Sequence, residues 1–350
     1  MRDVLPQLNE WVARGDRVAL ATVVDVRRSA PRPPGAKMAV NERGEIAGAV
    51  SGGCVEGAVV EIADGVIRGG APQLTHFGIA DAEAWDVGLP CGGEIDVWVQ
   101  AYEPGRFGQI ASEGGRAAEV TVLEGARPGA KLLVEADGAR SGSLGSPEVD
   151  DEAASLAVEM MWAERAERRD ALFFDVVAPS PRLIIFGAVD IASSLCRLAQ
   201  AAGWRPYVVD PRARFATPER FPDAVEVIAG WPQEAFARLG RIDRATSIVV
   251  LTHDPKLDDA ALQSALRSEA RFIGAMGSRR AQASRRERLL AAGLSEEQLG
   301  RLSAPQGLDL GAVSGEETAL SILAEVVAAR HGHDGGRLSQ ASGRIHEVAV

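Results

Sequence analysis

Short apolar runs alternate with amphipathic stretches from Pro181 to Ala292. Five of the runs predict buried strands: Leu183–Phe186, Pro206–Val209, Val225–Ile228, Ser247–Leu251 and Phe272–Ile273. Four stretches between or after them have helical spacing: Ile191–Ala202, Gln233–Leu239, Asp258–Ser268 and Arg279–Ala292. This alternation is typical of a doubly wound parallel sheet with helices on both faces.

The pattern before Pro179 is different and predicts a mixed α/β domain with at least one hairpin. Its predicted helices are residues 1–16, Val55–Ile67 and Asp151–Arg169. Its predicted strands are Arg17–Val26, Met38–Val40, Glu45–Val50, Glu94–Tyr102, Glu119–Leu123, Lys131–Val134 and residues 171–178. No internal repeat stands out, and the pattern does not define the order of the strands.

Pro-Ser-Pro at residues 179–181 interrupts the chain, and we place the domain boundary there. The predicted organisation is an N-terminal domain over residues 1–178 with a turn-rich middle segment. A Rossmann-like domain follows over residues 179–332, and a C-terminal tail covers residues 333–350.

Composition and charge narrow the possible partners. The 350 residues include 38 basic and 49 acidic side chains, a net charge of −11, and only 5% of the residues are aromatic. Nucleic acid favours a basic surface, so we expect no nucleic-acid partner. No apolar run approaches the roughly 20 residues that span a bilayer. Three cysteines are an odd number in a long chain, which favours a reducing, cytoplasmic location.

The first strand of the predicted parallel sheet leads into a partial dinucleotide fingerprint. Gly187 and Ala192 fit its first and sixth positions, but Val189 replaces the glycine of the third position, and Asp190 follows it. Asp210 ends the second strand, where an acid that binds ribose is expected. The neighbouring Arg212 and Arg214 suit a 2′-phosphate instead. The alternatives are a nucleotide site and a domain that keeps the fold without the dinucleotide.

Two cysteines lie beside pairs of glycines, at Ser51-Gly52-Gly53-Cys54 and Cys91-Gly92-Gly93. Cys54 precedes a predicted helix, whose dipole stabilises a thiolate, and glycines let a ligand approach the backbone. The alternative is a pair of buried, inert thiols. Cys196 falls within a predicted helix and fits the core. The chain has no Cys-x-x-Cys pair, so we predict no metal site.

Other candidate residues lie in two basic loops and after a strand. Arg32 and Lys37 lie in a proline-rich loop, and Gly277-Ser278-Arg279-Arg280 opens a helix and resembles a phosphate cradle. His253 follows a strand at the edge where α/β sheets place their sites. Solvated turns are the alternative for these loops. A metal-dependent hydrolase using His253 and nearby acids is the weakest hypothesis, because those acids more simply begin a helix.

Several motifs in order resemble the XdhC/CoxI family of accessory proteins for xanthine dehydrogenase and related molybdenum hydroxylases. They are SAPRPPGAKMAV, GEIAGAVSGGCVEGAVVE, FGIADAEAWDVGLPCGGEIDVWV, LTHDPKLDD, FIGAMGSRR and APQGLDLGAVSGEETALSILAE. The resemblance covers nearly the whole chain and implies an XdhC/CoxI domain followed by a Rossmann-like domain. It is weakest over residues 103–175.

The resemblance implies a chaperone that binds molybdenum cofactor (molybdopterin), assists its sulfuration and inserts it into an apo molybdenum hydroxylase. A cysteine desulfurase as second partner and a homodimer are also implied. Cys54 and Cys91 match the family's thiols near the cofactor, and Asp309 and Glu317 match its acidic C-terminal motif. We expect an accessory protein more than a free-standing catalyst. The alternative is an NAD(P)-dependent oxidoreductase using Asp210 and His253, although Val189 and Asp190 depart from the family's Gly-His.

Overall fold

The structure is a computed structural model that describes residues 1, 3–28, 31–78 and 93–340. The chain forms two compact units, Met1–Pro179 and Ser180–Val350. We call them unit 1 and unit 2. Cys91 and Gly92, two of the candidate site residues, lie outside the described residues.

The described residues of unit 1 form four helices and ten strands. The helices are α1 (Leu5–Ala13), α2 (Glu56–Ile67), α3 (Arg106–Ser112) and α4 (Pro147–Ala163). The strands are β1 (Val18–Arg27), β2 (Lys37–Asn41), β3 (Ile46–Gly48), β4 (Gln73–Phe77), β5 (Glu94–Ala101), β6 (Ala117–Val122), β7 (Lys131–Glu135), β8 (Arg140–Gly142), β9 (Glu167–Arg169) and β10 (Leu172–Val177).

These elements form the same motif twice. Each copy runs helix, three strands, helix, two strands: α1 to β5 is the first copy, and α3 to β10 is the second. The antiparallel sheets have the orders β3-β2-β1-β5-β4 and β8-β7-β6-β10-β9, which are equivalent position by position. The prediction that the chain lacks an internal repeat is therefore wrong.

The repeat can be traced to a four-residue sequence. Pro-Gly-Ala-Lys occurs at residues 34–37 and again at 128–131, each time at the start of the second strand of its copy. Gly35 N–H donates to the Val23 carbonyl at 2.8 Å, and Gly129 N–H donates to the Val122 carbonyl at 2.8 Å. Both glycines have positive φ, 90° and 86°, a conformation that favours glycine. Identity this short is not a conspicuous signal in a chain of 350 residues.

The two copies pack against each other through equivalent residues. Trp98 of the first copy and Phe173 of the second belong to one buried cluster. Lys37, only 2% exposed, donates from Nζ to Asp175 Oδ2 of the second copy at 2.5 Å. Its counterpart Lys131 instead pairs with Glu119 of its own copy. Residues of both copies line a cavity of about 40 Å³ between the sheets.

Two predicted helices in unit 1 have the wrong bounds, and the helix predicted over residues 1–16 is the shorter α1, Leu5–Ala13. The expected helix Asp151–Arg169 is α4, which begins earlier because Ser146 caps its N-terminus and Pro147 suits its first turn. It ends earlier because Glu164 adopts a left-handed conformation with φ of 54°. Residues Glu167–Arg169 then pair with β10 as a strand.

Unit 2 contains the predicted alternation of strands and helices. Its strands are β11 (Arg182–Phe186), β12 (Arg205–Val209), β13 (Glu226–Ile228), β14 (Thr246–Val250), β15 (Phe272–Ala275) and β16 (Leu302–Ser303). Its helices are α5 (Asp190–Ala201), α6 (Pro232–Leu239), α7 (Pro255–Leu266), α8 (Arg279–Ala291), α9 (Glu296–Leu299) and α10 (Gly315–His331). A short 3-10 helix, Leu338–Gln340, follows.

The six strands form a parallel sheet in the order β13-β12-β11-β14-β15-β16, which is the order of a dinucleotide-binding fold. Helices α5 and α10 pack on one face of the sheet. Helices α6, α7 and α8 cover the other face. This sheet confirms the prediction of an α/β fold with a Rossmann-like parallel sheet. The prediction was possible because strands buried on both faces give continuous apolar runs in the sequence.

The buried pair between the copies yields a stability prediction. Asp175→Asn removes the charge opposite Lys37 and leaves its ammonium buried without a counter-charge. We expect a loss of about 3 kcal/mol in the free energy of unfolding, measured by denaturant titration.

Glu119→Gln is the matched control, because the Lys131–Glu119 pair is part-exposed, with side-chain exposures of 39% and 19%. Its expected loss is below about 1 kcal/mol. Equal losses in the two variants would contradict the structural role of the Lys37–Asp175 pair.

Candidate functional site

The Cys54 loop, residues 49–55, connects β3 to α2 and is organised around Glu56. The carboxylate of Glu56 accepts hydrogen bonds from five backbone N–H groups at 2.8 to 3.2 Å and from Ser51 Oγ at 2.6 Å. The five N–H donors are Val50, Ser51, Gly52, Gly53 and Val55. The sequence predicts Ser51, Gly52 and Gly53 as contacts for a cofactor, but their backbone N–H groups already donate to Glu56.

These contacts set the charge state of Glu56. Burial alone would raise the pKa of this carboxyl, but the hydrogen bonds from Ser51, Gly52 and Gly53 outweigh it. The pKa falls from 4.5 to about 2. Glu56 is therefore an anion at neutral pH at the start of α2, where the helix dipole also favours negative charge.

Sequence reasoning passed over Glu56. The available signal was an acid in the first turn of a predicted helix, two residues after a cysteine.

The second copy shows which of these features the motif itself requires. There, Asp150 Oδ1 accepts the Leu144 N–H at 2.7 Å, six residues earlier in the chain. Glu56 Oε1 accepts the Val50 N–H with the same separation. The second copy has no Gly-Gly-Cys sequence between this apolar residue and its acid. The acid is thus common to both copies, whereas the glycines and the cysteine are particular to the first.

Cys54 itself is partly exposed and packs against the core of the first copy. Its N–H donates to Ser51 Oγ at 3.0 Å. Gly52 and Gly53 have φ of 100° and 121°, and no atom lies within 4 Å of a Cβ added at either position. The glycines therefore satisfy a backbone requirement and leave space on the outer side of the loop beside the thiol.

The predicted basic residues of unit 1 are in different surroundings. Arg32 is partly exposed in the proline-rich loop. Lys37 is buried, and its ammonium is engaged by Asp175 and by Thr22 Oγ1 at 3.3 Å.

Gly93, the remaining described glycine of the Cys91 motif, is buried before β5.

In unit 2, the carboxyl ends of β11 and β14 meet where the strand order reverses. Gly187 follows β11 with φ of 118°, and an added Cβ would lie 2.6 Å from Thr252 Cγ2. Glycine is required here because the neighbouring loop is so close. His253 follows Thr252 and is exposed at this edge. Asp210 is also at this edge, after β12, and is fully buried.

The loop after β15 brings the predicted phosphate cradle to the same edge. Gly277 has φ of 133°, and Ser278 caps α8 by accepting the Ala281 N–H at 3.2 Å. Ser278, Arg279 and Arg280 are exposed. Hydroxyl and guanidinium groups at a helix N-terminus can bind an anion.

A buried pair that sequence reasoning missed holds the two loops together. Arg285, 3% exposed, donates from Nη2 to Asp258 Oδ2 at 2.9 Å and to the Met276 carbonyl at 3.1 Å. Asp258 also accepts a hydrogen bond from Thr252. Burial raises the pKa of Asp258 even though both donors lower it. Asp258 therefore links the loop after β14 to helix α8 through Thr252 and Arg285. The sequence does not distinguish the buried Arg285 from the other arginines of α8.

The acidic C-terminal motif has a structural role at Glu317. Its carboxylate accepts the N–H groups of Val313 and Ser314 at 2.7 and 3.0 Å, while Ser314 Oγ accepts the Glu317 N–H. This is a capping box at the start of α10. Asp309 lies in the segment that precedes it.

Metal clusters and membrane spans are both absent from the described part of the chain. Within residues 1, 3–28, 31–78 and 93–340, no group of three or more His, Cys, Asp or Glu side chains is placed to hold a metal ion. Across the same ranges, every helix is too short or too polar to cross a bilayer.

Sequence models of one family match most of the chain. The XdhC Rossmann domain matches residues 183–326. The XdhC and CoxI family matches residues 11–78 and 110–171. The two segments of the second match fall in the first and second copies of the repeated motif.

Two relatives match over nearly their full length. A probable xanthine dehydrogenase subunit of Bacillus subtilis is 27% identical over 330 residues, which cover 90% of this chain and 94% of that protein. The "Molybdenum cofactor insertion chaperone PaoD" of Escherichia coli is 29% identical over 331 residues, 94% of this chain and 88% of the relative.

A solved structure is also similar. The crystal structure of a xanthine dehydrogenase from Bacillus halodurans gives a TM-score of 0.67 at 25% identity and covers 98% of both chains.

The depressed pKa of Glu56 predicts a pH-dependent stability difference. Glu56→Gln places an amide NH₂ against the backbone donors and removes the charge, so we expect a loss of about 1–2 kcal/mol at pH 7. The carboxylate stabilises the fold fully above its unfolded pKa of 4.5. This contribution is lost as the pH falls towards about 2. In denaturant titrations of both proteins, the difference in stability should therefore shrink between pH 7 and pH 3.

Glu61→Gln, at an exposed position of the same helix, is the control and should leave stability unchanged. A difference between wild type and Glu56→Gln that stays constant down to pH 3 would refute the role assigned to the Glu56 carboxylate.

Proposed function

We propose that this chain, which belongs to the XdhC and CoxI family, binds a molybdenum cofactor and delivers it to an apo molybdenum hydroxylase. The observation that carries the proposal is the near full-length similarity to a relative named as a molybdenum cofactor insertion chaperone. The cofactor is cargo in this role, and the chain is an accessory protein more than a free-standing enzyme.

The Cys54 loop is the proposed contact with the cargo. The second copy of the motif keeps the acid at the start of its helix but not the glycines or the cysteine. The repeated motif therefore does not itself require a cysteine in this loop, which favours a role for Cys54 outside the fold. The molybdenum of the cofactor is held by dithiolene sulfurs, which are soft ligands. A cysteine sulfur is a soft ligand too and is therefore a suitable neighbour. Cys91 is proposed as a second thiol contact on the family resemblance alone.

The anionic part of the cofactor needs donors of the opposite charge. Arg32, in the same unit as Cys54, is partly exposed, and we propose it as a contact for the phosphate of the cofactor. Ser278, Arg279 and Arg280 are exposed in unit 2, and we propose them as an anion site of that unit. Lys37 has no such part in the proposal because its ammonium is buried against Asp175. His253 lies at the same edge as Ser278 and is the proposed residue for proton transfer.

The finer proposal concerns sulfur and partners. We propose that the cofactor is sulfurated while it is bound, with a cysteine desulfurase as the sulfur donor, and that the chain works as a homodimer. This part rests on the family resemblance and on the presence of a partly exposed thiol.

Cys54→Ser tests the contact with the cargo. We expect the variant to fold like wild type, because the side chain is partly exposed, and to bind the cofactor at least about tenfold more weakly, equivalent to about 1.4 kcal/mol. The measurement is the amount of molybdopterin and molybdenum released from protein purified anaerobically and then denatured.

Cys196→Ala is the matched thiol control. Cys196 is buried in α5, and burial raises the pKa of its thiol to about 12. This variant should keep the cofactor content of wild type. Wild-type protein that is folded and reduced but takes up no cofactor at micromolar concentration would refute the proposed function, and equal binding by Cys54→Ser would remove Cys54 from it.

A further inference from the structure

We infer that the Rossmann domain of this chain does not bind NAD(P), because Arg212 is already hydrogen-bonded to the Asp210 carboxylate that would otherwise bind the ribose. The inference concerns unit 2 alone and does not depend on the molybdenum cofactor. It follows from a disagreement between the fold of the sheet and the contacts at its edge.

The fold makes a dinucleotide the first expectation. The strand order places its binding crevice between β11 and β14, with the pyrophosphate at the N-terminus of α5. The acid that ends the second strand then accepts hydrogen bonds from the ribose hydroxyls. Asp210 stands at that position.

Every lone-pair direction that Asp210 would offer to ribose is already taken. Its Oδ1 accepts the Arg212 N–H and Nε–H, both at 2.9 Å. Its Oδ2 accepts the Ala188 N–H at 2.9 Å and Arg212 Nη2 at 2.7 Å. The residue has no exposed surface. Burial raises the pKa of Asp210, but the hydrogen bonds from Arg212 and Ala188 outweigh it, so the pKa is lowered and the pair stays ionic.

The guanidinium of Arg212 is held in this position from its other side as well. It lies over the ring of Phe215, 4.8 Å from the ring centroid. Arg220 lies over the same ring at 5.5 Å and donates to the Ala188 carbonyl at 3.2 Å and to Asp190 Oδ1 at 3.2 Å. These contacts tie the loop after β12 to the loop after β11.

The pyrophosphate half of the crevice is also unsuited to a dinucleotide. Val189 carries a side chain where the fingerprint needs a glycine for close approach to the backbone. Asp190 adds a negative charge in the first turn of α5, where phosphate would bind. Thr252, which follows β14, approaches Gly187 closely across the crevice. Neither half of the crevice provides the free donors and acceptors that NAD(P) needs.

Asp210 therefore holds two loops together, the loop after β11 through the Ala188 N–H and the loop after β12 through Arg212. We call this structural role a staple. Replacing an acid that serves only a ligand leaves the stability of the ligand-free protein unchanged, whereas replacing a staple lowers it. This difference makes the inference testable without any ligand.

The first experiment titrates the full wild-type chain with NAD⁺, NADH, NADP⁺ and NADPH by calorimetry up to millimolar concentration. The expected result is no saturable heat for any of the four. Saturable binding of any one of them would overturn the inference.

The second experiment uses Asp210→Asn in the nucleotide-free chain. Each oxygen of Asp210 accepts two hydrogens, so an amide NH₂ at either position faces two donors. We expect the thermal unfolding midpoint of unit 2 to fall by several degrees. We also expect faster amide exchange in peptides covering residues 187–190.

Arg214→Ala is the control, since Arg214 is an exposed arginine of the same loop and should leave both measurements unchanged. An Asp210→Asn variant with wild-type midpoint and wild-type exchange would overturn the assignment of Asp210 as a staple. The wild-type titration stands as a test even if this variant does not fold.

Discussion

The conformation of the Cys54 loop depends on a single carboxylate. Glu56 accepts hydrogen bonds from five backbone N–H groups at a helix start and a glycine turn, where backbone donors lack intrahelical partners. Of these five, the Val55 N–H also donates to Ser51 Oγ. The loop can leave its glycines exposed and its thiol beside them only because that internal anion satisfies its donors. A ligand at this loop would accordingly meet the Cys54 side chain and the open side of the glycines, whereas the inward-facing amides are already bound.

The duplicated motif of unit 1 separates scaffold from specialisation. Both copies share the strand order, the glycine turn before the second strand and the acid that follows the third. They differ at the lysines, since Lys37 reaches across to the other copy and Lys131 stays within its own. They also differ at the loop before the second helix, where only the first copy carries a cysteine. The two copies thus share a scaffold and differ in the loop that carries Cys54.

How far the sequence predicts the structure depends on whether partners are near in the chain. The parallel sheet of unit 2 was predictable because strands buried on both faces are continuous apolar runs. The repeat was missed because its most evident identity, Pro-Gly-Ala-Lys, is only four residues long. The basic loop predicts Lys37 in a ligand site, and the sequence could not show that Lys37 is already paired, because its partner Asp175 lies 138 residues away. Asp210 was found by its position, but only the structure shows Arg212 occupying it.

Transfer of molybdenum cofactor from this chain to an apo molybdenum hydroxylase is the most direct test of the proposed delivery role. Loaded wild-type chain would be mixed with an apo molybdenum hydroxylase, separated again, and molybdenum would be measured in both proteins together with hydroxylase activity. We expect molybdenum to leave the chain and to appear in the hydroxylase with activity, faster than from free cofactor at the same concentration. A hydroxylase that gains molybdenum no faster from the loaded chain than from free cofactor would refute the proposed delivery role.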